Sequence, residues 1–509
     1  MARLAQRLDW TRRGWTRSGW PGWRAIALSA GLGVIAASGQ APFGAWWLAL
    51  PALAALIHIV SRAASAKAAA WTAWFGGAGY FAAALSWIVQ PFLVDAATYG
   101  WMAPFALLFM AFGLALFWAV AAGLAYRVAN RAYGFAITLT AAELLRGYVL
   151  TGFPWALIGH IWIETPVAQL AAWIGPSGLT LISLFVAALA AQGFTQRKLA
   201  PVGTAAALVL VSWAYGLWVL AQPMPTGTGA TLRLVQPNAA QQAKWDPDLA
   251  QQFFDRLLAF TAVKPAPDLV IWPETALPYL LSRHPEIGTL IADAAHGVPV
   301  AIGMQRVVGN QGWNTLAIIG TDGRVQASYD KHHLVPFGEY IPYGDLAYRL
   351  FGVSAFAAQQ GNGYTPGPGP KLLDFGVKLG MALPLICYEA VFPQDLRGTP
   401  RADWILQITN DAWFGTLTGP FQHADQARLR AIEQGLPLVR VANTGVTAVY
   451  DARGRTTAQL DFGIASYLDA DLPGALPATP YAKYGEFPVL VWLGGLGVWL
   501  FRRKARPAA

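Results

Sequence analysis

The stretch Ala200-Pro-Val-Gly-Thr-Ala-Ala-Ala-Leu-Val-Leu-Val-Ser-Trp-Ala-Tyr-Gly-Leu-Trp-Val-Leu-Ala221 carries no charge, and soon after it Thr231-Leu-Arg-Leu-Val-Gln-Pro-Asn238 reads as a short strand. A hydrocarbon core about 30 Å thick takes roughly 20 apolar residues of helix. The first piece has that length and the second does not, so the chain changes solvent between them. Charge marks the same boundary. Up to residue 221 the acids are Asp9, Asp95, Glu143 and Glu164 against 13 Lys/Arg, and the tail from 488 adds Arg502, Arg503, Lys504 and Arg506. Together those two regions carry +13, whereas 222–487, with 19 Lys/Arg and 23 Asp/Glu, carries −4. The chain therefore divides into a membrane region at 1–221, a polar domain at 222–487 and a last apolar segment with a basic tail at 488–509.

Composition agrees with lipid-facing surface. Of 509 residues 55% are hydrophobic, 12% are charged and 23 are Trp, with a mean hydropathy of +0.39. Ordinary globular chains are about 25% charged, so a disordered or fibrous protein is excluded. The net charge of +9 and pI of 9.6 give no support for nucleic-acid binding, because the basicity lies entirely in the membrane region. Apolar segments near 24–39, 45–61, 68–91, 101–127, 133–150, 166–193, 200–221 and 488–501 predict about eight spans, seven of them before the polar domain. Basic residues fall on alternate sides: six Arg up to residue 24, then Arg62 and Lys67, Arg127 and Arg131, Arg197 and Lys198, and the four of the tail. The positive-inside rule then puts both termini in the cytoplasm and 222–487 outside. Trp46, Trp47, Trp71, Trp74 and Trp101 stand near proposed span ends, as an aromatic belt requires. The first segment, basic then apolar and ending in Ala36-Ala-Ser-Gly39, also has the form of a cleavable signal peptide. Its removal would leave the side of the polar domain unchanged.

Within 222–487 the period changes. Thr231–Asn238, Asp268–Thr275, Val298–Val307, Asn314–Gly320, Trp404–Asn410 and Pro437–Tyr450 read as strands, several apolar throughout, and Leu249–Val263, Pro285–His296 and Phe421–Gln434 as helices. The alternation predicts a layered α/β domain with covered sheets. Tyr364-Thr-Pro-Gly-Pro-Gly-Pro370 fits neither element and reads as a long loop or arm. There is no Walker A sequence and no internal sequence repeat.

Cys387, the only cysteine, ends the apolar run Pro384-Leu-Ile-Cys-Tyr-Glu389. A lone Cys is ordinarily a small buried hydrophobe; one that ends a strand, precedes an acid and faces an oxidising compartment is a candidate nucleophile. It excludes an intramolecular disulfide and a Cys-rich metal site. A thiol with an ordinary pKa near 8.5 needs a base or a cation beside it. His284, His296, His332, His333 and His423 are candidates that no spacing separates. A carboxylate is the alternative, and Glu274 in Asp268-Leu-Val-Ile-Trp-Pro-Glu-Thr275 stands just past an apolar strand, where a turn acid is equally ordinary. Tyr329-Asp-Lys-His-His-Leu-Val-Pro-Phe-Gly-Glu-Tyr340 offers Lys331 and Glu339. A loop lysine is usually solvated, but beside a reacting carbonyl it would stabilise an oxyanion.

Trp272-Pro-Glu274, Lys331 with Leu334-Val-Pro-Phe-Gly-Glu339, and Ile386-Cys-Tyr-Glu389 occur in order, with 57 residues from Glu274 to Lys331 and 56 from Lys331 to Cys387. That set resembles the Glu-Lys-Cys triad of the nitrilase superfamily, and Asn410-Asp-Ala-Trp-Phe-Gly415 adds to it. Seven spans, an extracytoplasmic domain and one last span resemble the apolipoprotein N-acyltransferase branch, as do Thr151-Gly-Phe-Pro-Trp155, Gln236-Pro-Asn238 and Lys244-Trp245. The resemblance implies an α-helical membrane bundle plus a periplasmic αββα sandwich, in a multi-pass protein of the inner membrane of a Gram-negative-type bacterium.

It also implies an acyltransferase. Glu274 would be the general base, Cys387 the nucleophile that forms a thioester, and Lys331 the stabiliser of tetrahedral intermediates. The donor would be a phospholipid, phosphatidylethanolamine being favoured, and the acceptor the N-terminal amine of a diacylglyceryl-cysteine lipoprotein. Glu339, Tyr388 and Glu389 would support the site, and Trp245 would act at the substrate entrance. Tyr348–Phe356, with Phe351 and Phe356 touching lipid, and Gly361–Pro370 read as mobile arms. The chemistry needs no metal and no cofactor, and a monomer suffices. Two readings compete. A membrane-tethered amidase or nitrilase would discharge the same thioester with water, which leaves the spans and arms without a use. A transporter with a sensor domain would need charges along a path, and Glu143 with Arg146, spaced to pair on one helix face, is the one intramembrane pair.

Overall fold

The computed structural model describes residues 22–244, 246–342 and 363–502. Two compact units emerge: one takes the described residues up to Gln222 together with Leu417–Asp425 and those from Lys483, the other Pro223–Thr416 and Gln426–Ala482. Trp245, Phe351 and Phe356, and the segment 348–356 read as an arm, lie outside the described residues.

The first unit is helical. Trp23–Ala37 and Ala66–Ala84 approach so closely that a Cβ at Gly33 would meet the Gly76 carbonyl oxygen at 1.9 Å and one at Gly79 the Ala30 carbonyl oxygen at 2.1 Å. Small residues let helix backbones touch where no hydrophobic effect drives them together. Ala96–Ala125, Pro166–Gln196 and Leu199–Ala221 are long and apolar enough to cross a membrane, and Trp23–Ala37, Trp46–Ser61 and Phe487–Leu500 are shorter apolar helices. The expected spans near 68–91 and 133–150 form helices Ala66–Ala84 and Arg131–Arg146. Among the described residues, length and composition alone thus qualify three helices, and the other expected spans form helices that are shorter or less apolar. Ala66–Ala84 is diluted by Lys67 and by its Gly, Trp, Thr and Tyr residues, and Arg131–Arg146 is 16 residues long and carries Arg131, Glu143 and Arg146. The pair of Glu143 and Arg146 is structural: both side chains are buried, 2.5 Å apart, Trp118 Nε1 donates to Glu143 at 2.8 Å, and Arg146 donates to the carbonyls of Phe153 and Trp155. Trp155 in turn donates to Gln422 Oε1 at 2.8 Å and stacks on His423. The last helix, Phe487–Arg502, returns to this unit, where Val489, Leu493 and Leu500 share a core with Val128, Ile137 and Leu181.

The second unit is a sandwich of two six-stranded sheets. Strands β1 (Thr231–Gln236), β2 (Leu269–Ile271), β3 (Val300–Val308), β4 (Gln311–Ile319), β5 (Val325–Asp330) and β12 (Ser466–Asp471) form one, in the order β12-β1-β2-β3-β4-β5. The other is β11-β10-β9-β8-β7-β6, built from β6 (Leu373–Asp374), β7 (Met381–Ile386), β8 (Trp404–Thr409), β9 (Leu438–Ala442), β10 (Ala448–Tyr450) and β11 (Thr456–Gln459). Strands β1, β2 and β3 are parallel, and β4 and β5 follow antiparallel. Strands β7, β8 and β9 with β10 and β11 repeat that pattern. Leu232, Leu234, Ile271 and Leu316 of the first sheet meet Ile386, Leu406, Ile408 and Val441 of the second in one buried core. On the first sheet's other face Val270, Val300 and Ile302 pack on Phe254 and Leu257 of helix Pro247–Thr261 and Ile287 and Ile291 of helix Glu286–Ala294. Sheets covered on both faces explain why the strands read as apolar throughout. The first and last strands of this domain lie side by side, since β1 pairs with β12 and Thr231 lies opposite Asp471.

Candidate active site

Parallel strands deliver their side chains to one sheet end, and the candidate residues stand just past such ends. β2 stops at Ile271; Trp272 still bonds to β3 through its N–H to the Ala301 carbonyl at 2.8 Å, Pro273 cannot donate, and Glu274 begins a turn. Thr275 then takes φ +45°, an outlier for a β-branched residue. The turn lies directly on β3: a Cβ at Gly303 would come within 2.3 Å of the Pro273 carbonyl oxygen and 2.6 Å of the Thr275 nitrogen. Glu274 is buried, with Oε1 accepting from Asn314 Nδ2 at 2.7 Å and Oε2 from the backbone N–H of Asn410 at 2.8 Å. Lys244, also buried, donates to the Glu274 carbonyl at 3.2 Å and to Thr275 Oγ1 at 2.9 Å.

Lys331 follows β5, fixed by its N–H to the Asn314 carbonyl at 2.9 Å. Its side chain is 1% exposed, with Nζ 2.8 Å from Glu339 Oε2 and 3.8 Å from Glu274 Oε1. Burial works to neutralise this ammonium, but the charges of Glu339, Glu274 and Cys387 outweigh it and hold the pKa well above the usual lysine value. Glu339 is aimed inward by its own turn, Oε2 accepting from the Val335 N–H at 2.8 Å. Asn314 Nδ2 reaches Glu339 Oε1 at 3.2 Å as well as Glu274, so a single amide spaces the two carboxylates around the lysine.

Cys387 follows β7 at φ +51°, opening the short 3-10 turn Cys387–Val391. This strained elbow reverses the chain at the thiol. The thiol is buried, and burial pushes its pKa well up; Glu274 adds to the rise, while Lys331 and a hydrogen bond with Thr409 oppose it without cancelling it. At neutral pH the resting group is therefore S–H. Glu389 ties the elbow to the lysine segment. Its Oε2 accepts from the Ile386 N–H at 2.7 Å, and its Oε1 from Tyr329 OH at 2.8 Å and the N–H groups of His332 and His333 at 2.8 and 3.2 Å. Behind Thr409, Asp411 accepts its hydroxyl at 3.0 Å and is held by Arg440 at 2.8 Å, an ion pair with both side chains fully buried.

Glu274, Lys331, Cys387, Glu339 and Glu389 thus belong to one buried constellation, and Tyr388 packs edge-on against Phe392 and His333. Of the candidate histidines, His332 and His333 border the constellation, bridging Glu389 and Asp395, whereas His284 sits by Glu286, His296 is exposed after helix Glu286–Ala294, and His423 lies in the helical unit. No sequence signal marks Asn314 or the Asn410 backbone N–H. An Asn opening an apolar strand is ordinary, and a main-chain donor leaves no side-chain signature. Residues 363–370, part of the stretch read as a mobile arm, are instead fastened: Tyr364 N–H donates to the Glu339 carbonyl at 2.8 Å, Thr365 to Gly312 at 2.7 Å and Gly367 to Lys331 at 2.8 Å. Among the described residues no group of three or more His, Cys, Asp or Glu is placed to hold a metal.

Residues 32–189 match a family model described as the apolipoprotein N-acyltransferase N-terminal domain, and residues 231–480 match one described as carbon-nitrogen hydrolase. The chain is 39% identical over 524 residues to the apolipoprotein N-acyltransferase of Caulobacter vibrioides, covering 96% of each. It is 37% identical to that of Bradyrhizobium diazoefficiens, covering 95% of each. Among solved structures, an amidase of the nitrilase superfamily from Nesterenkonia aligns at 18% identity and a TM-score of 0.36, over 53% of this chain and 99% of that one.

Proposed function

This chain belongs to the apolipoprotein N-acyltransferase family, and from that membership we propose that Glu274, Lys331 and Cys387 carry acyl transfer in two steps through a thioester. In the first, Glu274 takes the Cys387 thiol proton as Sγ attacks an ester carbonyl of a phospholipid. The negative charge on the carbonyl oxygen is met by the Lys331 ammonium, a placed cation in a site with little water. Collapse breaks the ester C–O bond, Glu274 returns the proton to the leaving alkoxide, and a lysophospholipid departs. In the second step Glu274 takes a proton from an amine, whose nitrogen attacks the thioester; collapse breaks the C–S bond and forms the amide, and Glu274 returns the proton to Sγ, restoring the thiol. The observation that carries this reading is the buried convergence of Lys331 and Glu274, 3.8 Å apart, around a thiol whose pKa burial and Glu274 raise. Such a thiol needs a base at the moment of attack.

The donor is read as phosphatidylethanolamine, the acceptor as a diacylglyceryl-cysteine lipoprotein and the working unit as a monomer. The segregation of +13 and −4 supports a periplasmic catalytic domain with both termini cytoplasmic, in the inner membrane. Trp245, Phe351 and Phe356 are assigned to the substrate entrance. Mass spectrometry after incubation with phospholipid alone tests the scheme. It should reveal an acyl adduct on Cys387, labile to hydroxylamine and missing from Glu274→Gln. An intact Cys387 that takes no adduct with the amine withheld would end the two-step reading. Slow loss of the adduct in water, with fast loss to a lipopeptide amine, separates the transferase from a hydrolase that shares the triad.

A further inference from the structure

Lys244 is a buried cation that neither step uses. It is 4% exposed, and burial draws its pKa down to about 8 against the pull of Glu274. A long ammonium side chain is costly to bury, so its placement calls for a reason, and its contacts supply one. It donates to the Glu274 carbonyl and to the Thr275 hydroxyl, at 3.2 and 2.9 Å. Those two groups bracket the left-handed turn, in which Thr275 holds φ +45°. Such backbone strain persists only where surrounding contacts over-determine it.

The segment that leads to the lysine is anchored. Ala239 exchanges hydrogen bonds with the Asn443 side chain at 3.0 and 2.8 Å, and Gln241 Oε1 accepts from Asn410 Nδ2 at 2.7 Å. Asn410 is also the residue whose N–H holds Glu274 Oε2. One frame therefore grips the carboxylate at one end and, through Lys244, the carbonyl of the same residue at the other. Gly303 closes the remaining side of the turn.

We propose that Lys244 is a positioning residue, holding the Glu274–Thr275 peptide in its left-handed turn so that the Glu274 carboxylate stays aimed between Asn314 and Asn410 for proton transfer. The proposal rests on reading Glu274 as the general base. The test is a double-mutant cycle on the full-length protein in mixed micelles with phosphatidylethanolamine, following the rate of Cys387 adduct formation against lipid concentration. Glycine adopts positive φ without strain, so Thr275→Gly removes the need for the clamp together with one of its two acceptors, leaving the Glu274 carbonyl. Lys244→Met should lower the maximal rate by roughly tenfold or more, within the range a general base supplies, and leave the half-saturating lipid concentration unchanged. In the Thr275→Gly background the same change should cost less than about threefold, a coupling that lysine acting only on stability would not produce. Lys244→Leu, which likewise removes the donor, carries the same cycle if Lys244→Met does not fold. Equal losses in the two backgrounds, or no loss from Lys244→Met while Glu274→Gln is inactive, would overturn the proposal. Adduct formation at full rate in Glu274→Gln would instead remove the general-base reading beneath it.

Discussion

At Lys331 one ammonium faces two carboxylates in a pocket that leaves its side chain 1% exposed. Its removal should act twice. Lys331→Met deprives the oxyanion of its cation, and adduct formation should fall by about 10²–10³-fold, as when one preorganised donor is lost. It also leaves Glu274 and Glu339 uncompensated, so the melting temperature should fall too. Lys331→Arg should restore the charge without the rate, because a planar fork does not fit where a point charge sits. Asn314→Asp replaces the shared donor between the carboxylates with a third acid. Like charges favour protonation, so the acid limb of the pH–rate profile for adduct formation should move to higher pH. The thiol offers a third check. With its pKa well above the usual thiol value through burial and Glu274, alkylation of resting Cys387 by iodoacetamide should stay slow at pH 7–8, and fast alkylation there would mean a standing thiolate. Glu274 and Cys387 were legible because each ends an apolar run, and Lys331 became so in company with them. Asn314 and Lys244 act through contacts between distant segments, which a single sequence does not encode locally.

The segment 329–333 and the turn 387–395 form a strap, element to element, centred on Glu389 and Asp395. His332 Nδ1 lies 2.7 Å from Glu389 and Nε2 3.6 Å from Asp395. Burial opposes its protonation, but the hydrogen bonds and charges of Asp395 and Glu389 prevail and lift its pKa to about 10. A folded-state pKa above the unfolded 6.5 means that this stabilisation is complete below about pH 6.5 and disappears as pH rises through about 10. The stability gap between wild type and His332→Gln, read from melting temperatures, should therefore be widest near pH 6 and close by pH 10. Gly303→Ala tests the turn after β2. With its Cβ 2.3 Å from a carbonyl oxygen, it should cost about 1–3 kcal/mol by overpacking and slow adduct formation by displacing Glu274. The central strands were readable because both faces are covered. The edge strands β11 and β12 were not: Thr456–Gln459 is almost wholly exposed and Ser466–Asp471 only half-buried, so neither carries an apolar signature. Pro437–Tyr450, read as one strand, is two strands with a turn between them.

For the whole molecule, the charge division yields an orientation that can be measured with native residues. An impermeant amine reagent applied to spheroplasts should label Lys371 and Lys378, both exposed in the sandwich, and spare Lys198 until the membrane is opened. The reverse pattern would invert the topology. The division into a helical region and an α/β domain was legible because hydropathy and charge change together near residue 222. The recurrence of one strand-pairing pattern in both sheets was not, since pairing depends on geometry that dissimilar apolar sequences satisfy equally. The pairing of β1 with β12 has a consequence for how such a chain can arise. A domain whose first strand residue, Thr231, sits across from its last strand residue, Asp471, is a cassette with adjacent ends. It can be grafted into a connection between two helices without stretching either partner. Anchored there at both ends, it also stays attached to the membrane after any single cut in one of its tethers.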